Sequence, residues 1–356
     1  MDKKIVYLLL LFVFSNCNFS KKTTGLKSNK SHPSFLETDH FGIRVKPILN
    51  REYLIFLSWY ISVYGYSYPE KVISILPEKS LDPRYGSNFE IEERIKNSIS
   101  SSILKGYIFN PKYIDYPLVG LSYPQIMEMQ RWMSDRYNEN VLIEKGFLNF
   151  NPNQRDEDCF SIETFLVGQY MGNVRKSISK RSWKKDYLPT FRLPYQYEIN
   201  AIKKHSDFDL QLKEYSFGEK DFLWKWNKHF LDISPKENKI ILKCPFTPIE
   251  IICENDISFL SPFIDATLRG KYLEFFSKKY LDLGNPDGTK DQYEDKYPFK
   301  EKNRFGQMEF VIVGINDENR PIIANPLKLT NDTFYENKIF RIAFNKTLEN
   351  QFLPKP

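Results

Sequence analysis

The stretch GLSYPQIMEMQRWMSDRYNE, residues 120–139, constrains the fold more tightly than any other part of the chain. Ser122 and Gln125 stand at capping-box spacing, and Pro124 falls where a first helical turn tolerates it. Ile126, Met129, Met133 and Tyr137 recur on one face. The pattern predicts a helix over 123–137 whose Met and aromatic stripe packs into a core.

A second helix is predicted over 51–62. In LNREYLIFLSWY, Asn50 has the chemistry of an N-cap, and Tyr53, Phe56, Leu57 and Tyr60 share one face. A third is predicted to open in TFRLPYQYEINAIKK, residues 190–204. There Pro194 suits the first helical position, and Leu193, Tyr197 and Ala201 line one side. KIILKCPF, IEIIC and MEFVIVGI read as short strands, while GNPDGTKDQ and NDENRP read as turns. A few helices among many short strands predict an α+β fold with much irregular structure. With 356 residues, 41% of them hydrophobic and 16% aromatic, the chain has enough apolar material for one large core or two.

The ends and the charge bear on location and partners. MDKKIVYLLLLFVFSNC sets Lys3 and Lys4 before an apolar run from Ile5 to Phe14, then Ser15, Asn16 and Cys17, the layout of a bacterial secretory signal. The run is too short to span a bilayer. A small residue close before Cys suggests a lipoprotein signal over 1–17, with Cys17 as the acylated first mature residue. Asn16 replaces the usual Gly or Ala, and an uncleaved or conventionally cleaved signal with an incidental Cys is the alternative. Residues 18–40, rich in Lys, Ser and Thr up to Phe35, read as a flexible tether, with folding expected from about Phe41. Lys and Arg number 51 against 45 Asp and Glu, a surplus of +6 read as spread along the chain. No nucleic-acid-reading motif accompanies it, so a nucleic-acid partner is not expected.

FRLPYQYEINA resembles the Arg-Leu-Pro-x-x-x-Glu helix start of formylglycine-generating-enzyme-like domains, also called sulfatase-modifying-factor domains. FGIRVKPILNREYLIFL is similar to that family's opening strand and Asn-x-x-Tyr-x-x-Phe helix. YPLVGLSYPQIMEMQRW resembles its Pro-Val-x-x-Val-Ser-Trp helix, NRFGQMEF its Phe-Gly-x-x-Asp-Met strand, and KIFRIAF its closing Gly-Phe-Arg strand. The blocks run in the family's order over 41–348, and the stretch 206–290 reads as an insertion. The residues carried over as structural are Asn50, Tyr53, Ser122, Trp132, Arg192, Pro194, Glu198, Phe305, Gly306, Phe340 and Arg341. Arg192 and Glu198 are expected to tie the helix start to neighbouring loops by charge-assisted hydrogen bonds, the alternative being a solvated charged helix start with no partners.

NPKYIDYPLVGLSY, MSDRYNENVLIEKGFLNFNPNQRDEDCFSIETFLVGQYMG and LPTFRLPYQYE most resemble the gliding-motility lipoproteins of J and K type from Bacteroidota. Met133 and Tyr195 depart from that subgroup, which tends to have Arg and Thr there. The resemblance implies an outer-membrane, lipid-anchored protein acting as a scaffold among other envelope proteins of a gliding-motility or type IX secretion assembly. It also implies the related C-type-lectin-like architecture, in which a ligand-binding role is an alternative.

The family's founding activity is oxidation of a cysteine to formylglycine by a copper-binding cysteine pair near the C-terminal end. This chain has no cysteine after Cys253, and no Gly-Gly-Ser stretch, so no catalytic residue is assigned and the domain reads as a non-enzyme. A divergent oxidase is the alternative from another class. Cys244 and Cys253 precede the NRFGQMEF block and read as a disulfide or as two buried thiols, while Cys159 sits in the polar loop QRDEDCFS. His32, His40, His205 and His229 show no ligand spacing, so no metal site is assigned. Calcium is a family cofactor, but Glu309–Val313 lacks the family's oxygen-bearing Asn. Asp287, Asp291, Glu294 and Asp295 offer oxygens in a loop that equally reads as a plain turn.

Overall fold

The computed structural model describes residues 27–28, 35–38, 41–65, 67–76, 93, 95, 105–175, 188–195, 198, 221–244, 248–252, 273–280, 308–315, 321–324 and 338–345. The fold class is α+β, as the mixture of helical and strand patterns predicts. The helices are α1 (Asn50–Tyr64), α2 (Pro69–Ser74), α3 (Lys105–Ile108), α4 (Tyr123–Glu144), α5 (Ile162–Leu166) and α6 (Trp224–Phe230). The strands are β1 (Lys27–Ser28), β2 (Phe35–Glu37), β3 (Phe41–Arg44), β4 (Leu231–Ser234), β5 (Lys239–Leu242), β6 (Ile249–Ile252), β7 (Leu273–Tyr280), β8 (Met308–Ile315), β9 (Pro321–Ala324), β10 (Lys338–Phe340) and β11 (Ala343–Asn345). They form three sheets, ordered β1-β2-β3-β11, β10-β7-β8-β9 and β4-β5-β6. All pairs are antiparallel except β10 with β7.

Helix α1 exceeds its prediction. The four residues of its expected stripe are buried, but so is every other residue from Glu52 to Val63. The reason is its position: α2, α4, α6, β4 and β5 all contact it, so no face is left to water. Asn50 does not cap it. Leu49 is the extended N-cap residue, and its N–H is taken by the Glu52 carboxylate at 2.7 Å. Asn50 is instead the first helical residue, and its Nδ2 donates to the Tyr113 carbonyl at 2.9 Å.

Helix α4 starts as predicted, with the Ser122 N–H donating to Gln125 Oε1 at 2.9 Å, and Ile126, Met129, Met133 and Tyr137 are buried. It continues beyond 137 to Glu144. The polar run Asn138, Glu139, Asn140 resembles a solvated helix end, yet all three are buried. Asn138 donates to the Pro189 carbonyl at 2.8 Å and Asn140 to the Phe222 carbonyl at 2.7 Å, so both amide nitrogens keep partners on burial, although Asn138 Oδ1 has none among the described residues.

Two boundaries differ from the sequence reading. Phe35–Glu37 lies inside the stretch read as tether, but it pairs with β3, and Phe35 is 1% exposed against Phe191 and Phe344. Its burial places the start of the folded part before Phe41. The closing segment KIFRIAF forms two strands instead of one. β10 joins β7, and after Arg341 and Ile342 the chain crosses to pair β11 with β3. KIILKCPF, IEIIC and MEFVIVGI contain strands β5, β6 and β8 as predicted, and GNPDGTKDQ lies outside the described residues.

The stretch 206–290, read as an insertion, contributes directly to the core. Leu223, Trp226, Phe230, Ile240, Leu242 and Ile249 belong to the same buried cluster as α1 and α4. Its entry is fixed by charge: Arg44 of β3 lies 2.5 Å from Glu52 of α1 and 3.4 Å from Asp221. Arg44 and Glu52 are both at most 2% exposed, so each is the other's replacement for water.

Burial pushes the Glu52 carboxyl up, and the Arg44 guanidinium opposes that push. Replacing Arg44 by Met therefore strands a buried acid and is expected to cost about 3–5 kcal/mol in urea unfolding. Combining it with Glu52→Gln, which keeps an acceptor for the Leu49 N–H, is expected to return more than half of that loss. A double variant no better than the single one would contradict the pairing.

Candidate functional site

The sequence-derived positions do not converge on one place. Arg192 and Glu198 do meet: Nη1 and Nη2 donate to the two carboxylate oxygens at 2.8 and 2.6 Å, a bidentate fork. Glu198 also accepts the Tyr195 N–H at 2.7 Å, and the Glu198 N–H donates to the Tyr195 carbonyl at 3.0 Å. Glu198 is helical and is tied back to Tyr195, three residues before it, which is not helical. Pro194 is itself outside any helix, so it does not hold the first helical position, and 196, 197 and 199–204 lie outside the described residues.

The ties of Arg192 differ from those expected. Besides Glu198 it holds the C-terminal strand: its N–H and carbonyl pair with the Ala343 carbonyl and N–H at 2.9 Å each, and Nη2 donates to Asn345 Oδ1. Its guanidinium lies 4.0 Å from the Tyr195 ring centre. Phe340 and Arg341 are buried at the crossing between β10 and β11. Tyr53 Oη donates to the Ile75 carbonyl at 3.0 Å, holding α1 to the end of α2. Cys17, Phe305 and Gly306, and the acidic loop from Asp287 to Asp295, lie outside the described residues.

Ser122 and Trp132 border a different feature, a cleft of about 750 Å³ between α1, α2, α4 and the loop before α5. Trp59, Tyr60 and Tyr64 supply one wall, Glu128, Arg131, Trp132 and Asp135 another, and Lys71 and Cys159 close the sides. The helical spacing of each group puts it on one face. Tyr60 Oη donates to Glu128 Oε1. Lys71 Nζ sits 4.2 Å from the Tyr64 ring centre, 4.6 Å from that of Tyr68 and 3.9 Å from Asp156 Oδ1. Tyr64 Oη and Cys159 Sγ lie 3.7 Å apart.

Burial dominates the electrostatics of the cleft. It pushes the Tyr60 phenol well up, and the Glu128 carboxylate adds to the effect. Tyr64 is raised by burial and by Cys159, and the Cys159 thiol is itself pushed up by burial. A thiol held protonated is a poor nucleophile. Asp135 is pushed up to about 6, first by burial, although the Ile162 N–H donates to it at 2.9 Å. Neutral hydroxyls, aromatic faces and both signs of charge suit this cleft to recognition of a polar ligand with an apolar side.

Arg136, on the adjoining face of α4, fixes the cleft from behind. It donates to Gln154 Oε1 at 2.9 Å and to the Phe160 carbonyl at 2.6 Å, lies 3.2 Å from Glu139, and stacks over Trp59 at 4.6 Å. Sequence reasoning missed Glu128, Asp135 and Arg136. The available signal was the Arg136 and Glu139 spacing of i, i+3 on a helix whose apolar positions are buried around them. Among the described residues no group of three or more His, Cys, Asp and Glu side chains is arranged to hold a metal ion. Cys244 is buried in the core, and Cys253 lies outside the described residues.

Compared with protein-family models, with curated proteins and with solved structures, the chain finds no match.

The site yields two tests. Glu198→Ala removes the partner of Arg192 and the acceptor of the Tyr195 N–H, and is expected to lower unfolding free energy by about 3 kcal/mol. Glu198→Gln is expected to lose less, and an unfolding temperature unchanged in Glu198→Ala would show that the fork contributes nothing. For Asp135 the folded value of about 6 lies above the ordinary 3.8, so its stabilising contribution is complete below that ordinary value and is lost as pH rises through the folded one. Asp135→Asn should match the parent in urea unfolding at about pH 4 and exceed it at about pH 7.5 by up to roughly 3 kcal/mol.

Proposed function

We propose that the chain is a non-catalytic, lipid-anchored envelope protein whose domain has a formylglycine-generating-enzyme-like fold and serves as a scaffold in an assembly of gliding-motility or type IX secretion type. The observation that carries this reading is the use made of the Arg-Leu-Pro-x-x-x-Glu segment. Arg192 forks onto Glu198 and also bonds to β11, so the residues that carry the resemblance act as fasteners of the fold.

Two sequence features add support. The lipoprotein-like signal ending at Cys17 suits a protein held at the outer membrane of a Gram-negative cell, and no cysteine follows Cys253 where the family's oxidases have their copper-binding pair. No helix among the described residues is long and apolar enough to cross a membrane. The cleft favours a second reading, in which the domain binds a small ligand between Tyr60, Tyr64 and Trp132.

Mild crosslinking in native cells followed by affinity purification separates the two. The scaffold reading expects secretion or motility components with the parent, from the outer-membrane fraction, and their loss with Cys17→Ala. Recovery of no protein partner from either form would overturn it and leave the ligand-binding reading.

A further inference from the structure

Resting on the ligand-binding reading of the cleft, we infer that its occupant is a linear aliphatic diamine, with one ammonium group at Glu128, the other at Asp135, and the connecting methylenes along Trp132. The scaffold role neither requires nor excludes such a ligand.

The rings of the cleft do not suit a flat ligand. They stand at steep angles to one another: 56° between Trp59 and Tyr60, 57° between Trp59 and Trp132, 59° between Tyr60 and Tyr64, and 81° between Trp59 and Tyr64. None of these pairs is parallel, so they form no shelf of the kind on which a planar ring stacks. Rings tilted in this way surround a ligand, which is how aromatic side chains receive an organic cation. One ammonium group is already held so at the edge of the cleft. Lys71 Nζ lies 4.2 Å from the Tyr64 ring centre and 3.9 Å from Asp156 Oδ1.

Charge selects a dication. The chain as a whole has 51 Lys and Arg against 45 Asp and Glu, yet the cleft is lined by three acids, Glu70, Glu128 and Asp135, and two bases, Lys71 and Arg131. Both bases are engaged by acids outside the lining, Lys71 by Asp156 and Arg131 by Glu163 at 3.3 Å. Among the described residues none of the three lining acids has an ion pair of its own. Glu128 accepts a hydrogen bond from the neutral Tyr60 hydroxyl, which leaves the carboxylate charge in place. Burial pushes Asp135 up to about 6 in spite of the Arg136 and Arg131 charges nearby, so a cation reaching its carboxylate relieves that cost. Glu128 and Asp135 stand two turns apart on one face of α4, about 10 Å along the axis, with Trp132 between them. A monoamine meets one of these carboxylates, whereas two amines on one alkyl chain meet both.

Isothermal titration calorimetry of the full chain in a neutral detergent tests this at about pH 7.5, above the value of about 6 for Asp135. The probes are cadaverine, n-pentylamine, 1,5-pentanediol and glutarate, which share one carbon chain length and differ in charge. Cadaverine is expected to bind, n-pentylamine to bind about ten-fold more weakly, and the diol and the diacid not to bind. Glu128→Gln keeps an acceptor for Tyr60, and Asp135→Asn removes a charge whose burial costs stability, so both variants are expected to unfold no more easily than the parent. Each is expected to bring cadaverine to the affinity of n-pentylamine. Pentylamine that binds as tightly as cadaverine, or variants that bind cadaverine like the parent, would overturn the proposal. Binding of the diol or the diacid in place of cadaverine would overturn the diamine and leave the ligand-binding reading standing. No binding by any of the probes would overturn the diamine and count against that reading as well.

Discussion

Helix α1 has to be satisfied on every side, and the rest of the structure is arranged around that requirement. A helix buried from Glu52 to Val63 has no solvent to absorb its polar groups. Several of them recruit neighbouring elements, while Ser62 Oγ donates back to the Ser58 carbonyl and Ser58 Oγ and Trp59 Nε1 stay without a hydrogen-bond partner among the described residues. Glu52 takes the Leu49 N–H and Arg44, Asn50 takes the Tyr113 carbonyl, and Tyr53 reaches the Ile75 carbonyl. These contacts fix β3, the turn after α3 and the end of α2 relative to one helix. Because Arg44 also faces Asp221, the same charge draws in the segment that carries α6 and the sheet β4-β5-β6.

The cleft follows from this arrangement. Trp59, Tyr60 and Tyr64 leave the far end of α1 facing α4, where Arg136 spans between Trp59 and Trp226 at 4.6 and 4.9 Å. Its bonds to Gln154 and the Phe160 carbonyl hold the loop that presents Cys159. The Gln154 amide returns to Glu139 at 2.5 Å, so the guanidinium and the carboxylate share one bridging residue. A buried polar network of this kind is stabilising only when its members are paired together, which ties the shape of the cleft to the integrity of the core.

Much of this was legible in the sequence where one physical signal acted alone. The start of α4 at Ser122, its Met and aromatic face, and strands β5, β6 and β8 follow from capping chemistry and periodicity. The readings failed where tertiary partners supplied what water normally does. Asn138, Glu139 and Asn140 read as a helix end because nothing in the sequence announces the Pro189 and Phe222 carbonyls. Asn50 read as a cap because a reach-back acid behind a Leu is a weak signal. Phe35 was hidden in a polar stretch, and Arg192 gave no sign that its partner strand lies at Ala343. The cleft was invisible for the same reason, since Tyr64, Glu128 and Cys159 come together only through packing.

The central claim is that the Arg192 and Glu198 segment fastens a single cooperative unit. Native-state hydrogen exchange on the amides of Arg44, Arg192 and Ala343 tests it most directly, because these donate to the Ile342, Ala343 and Arg192 carbonyls at 2.9 Å each. The account predicts that all three open with the same free energy as the Leu57 and Ser58 amides in the middle of α1. Exchange at Arg192 and Ala343 that is orders of magnitude faster than in α1 would mean that the closing strand frays independently, and would contradict it.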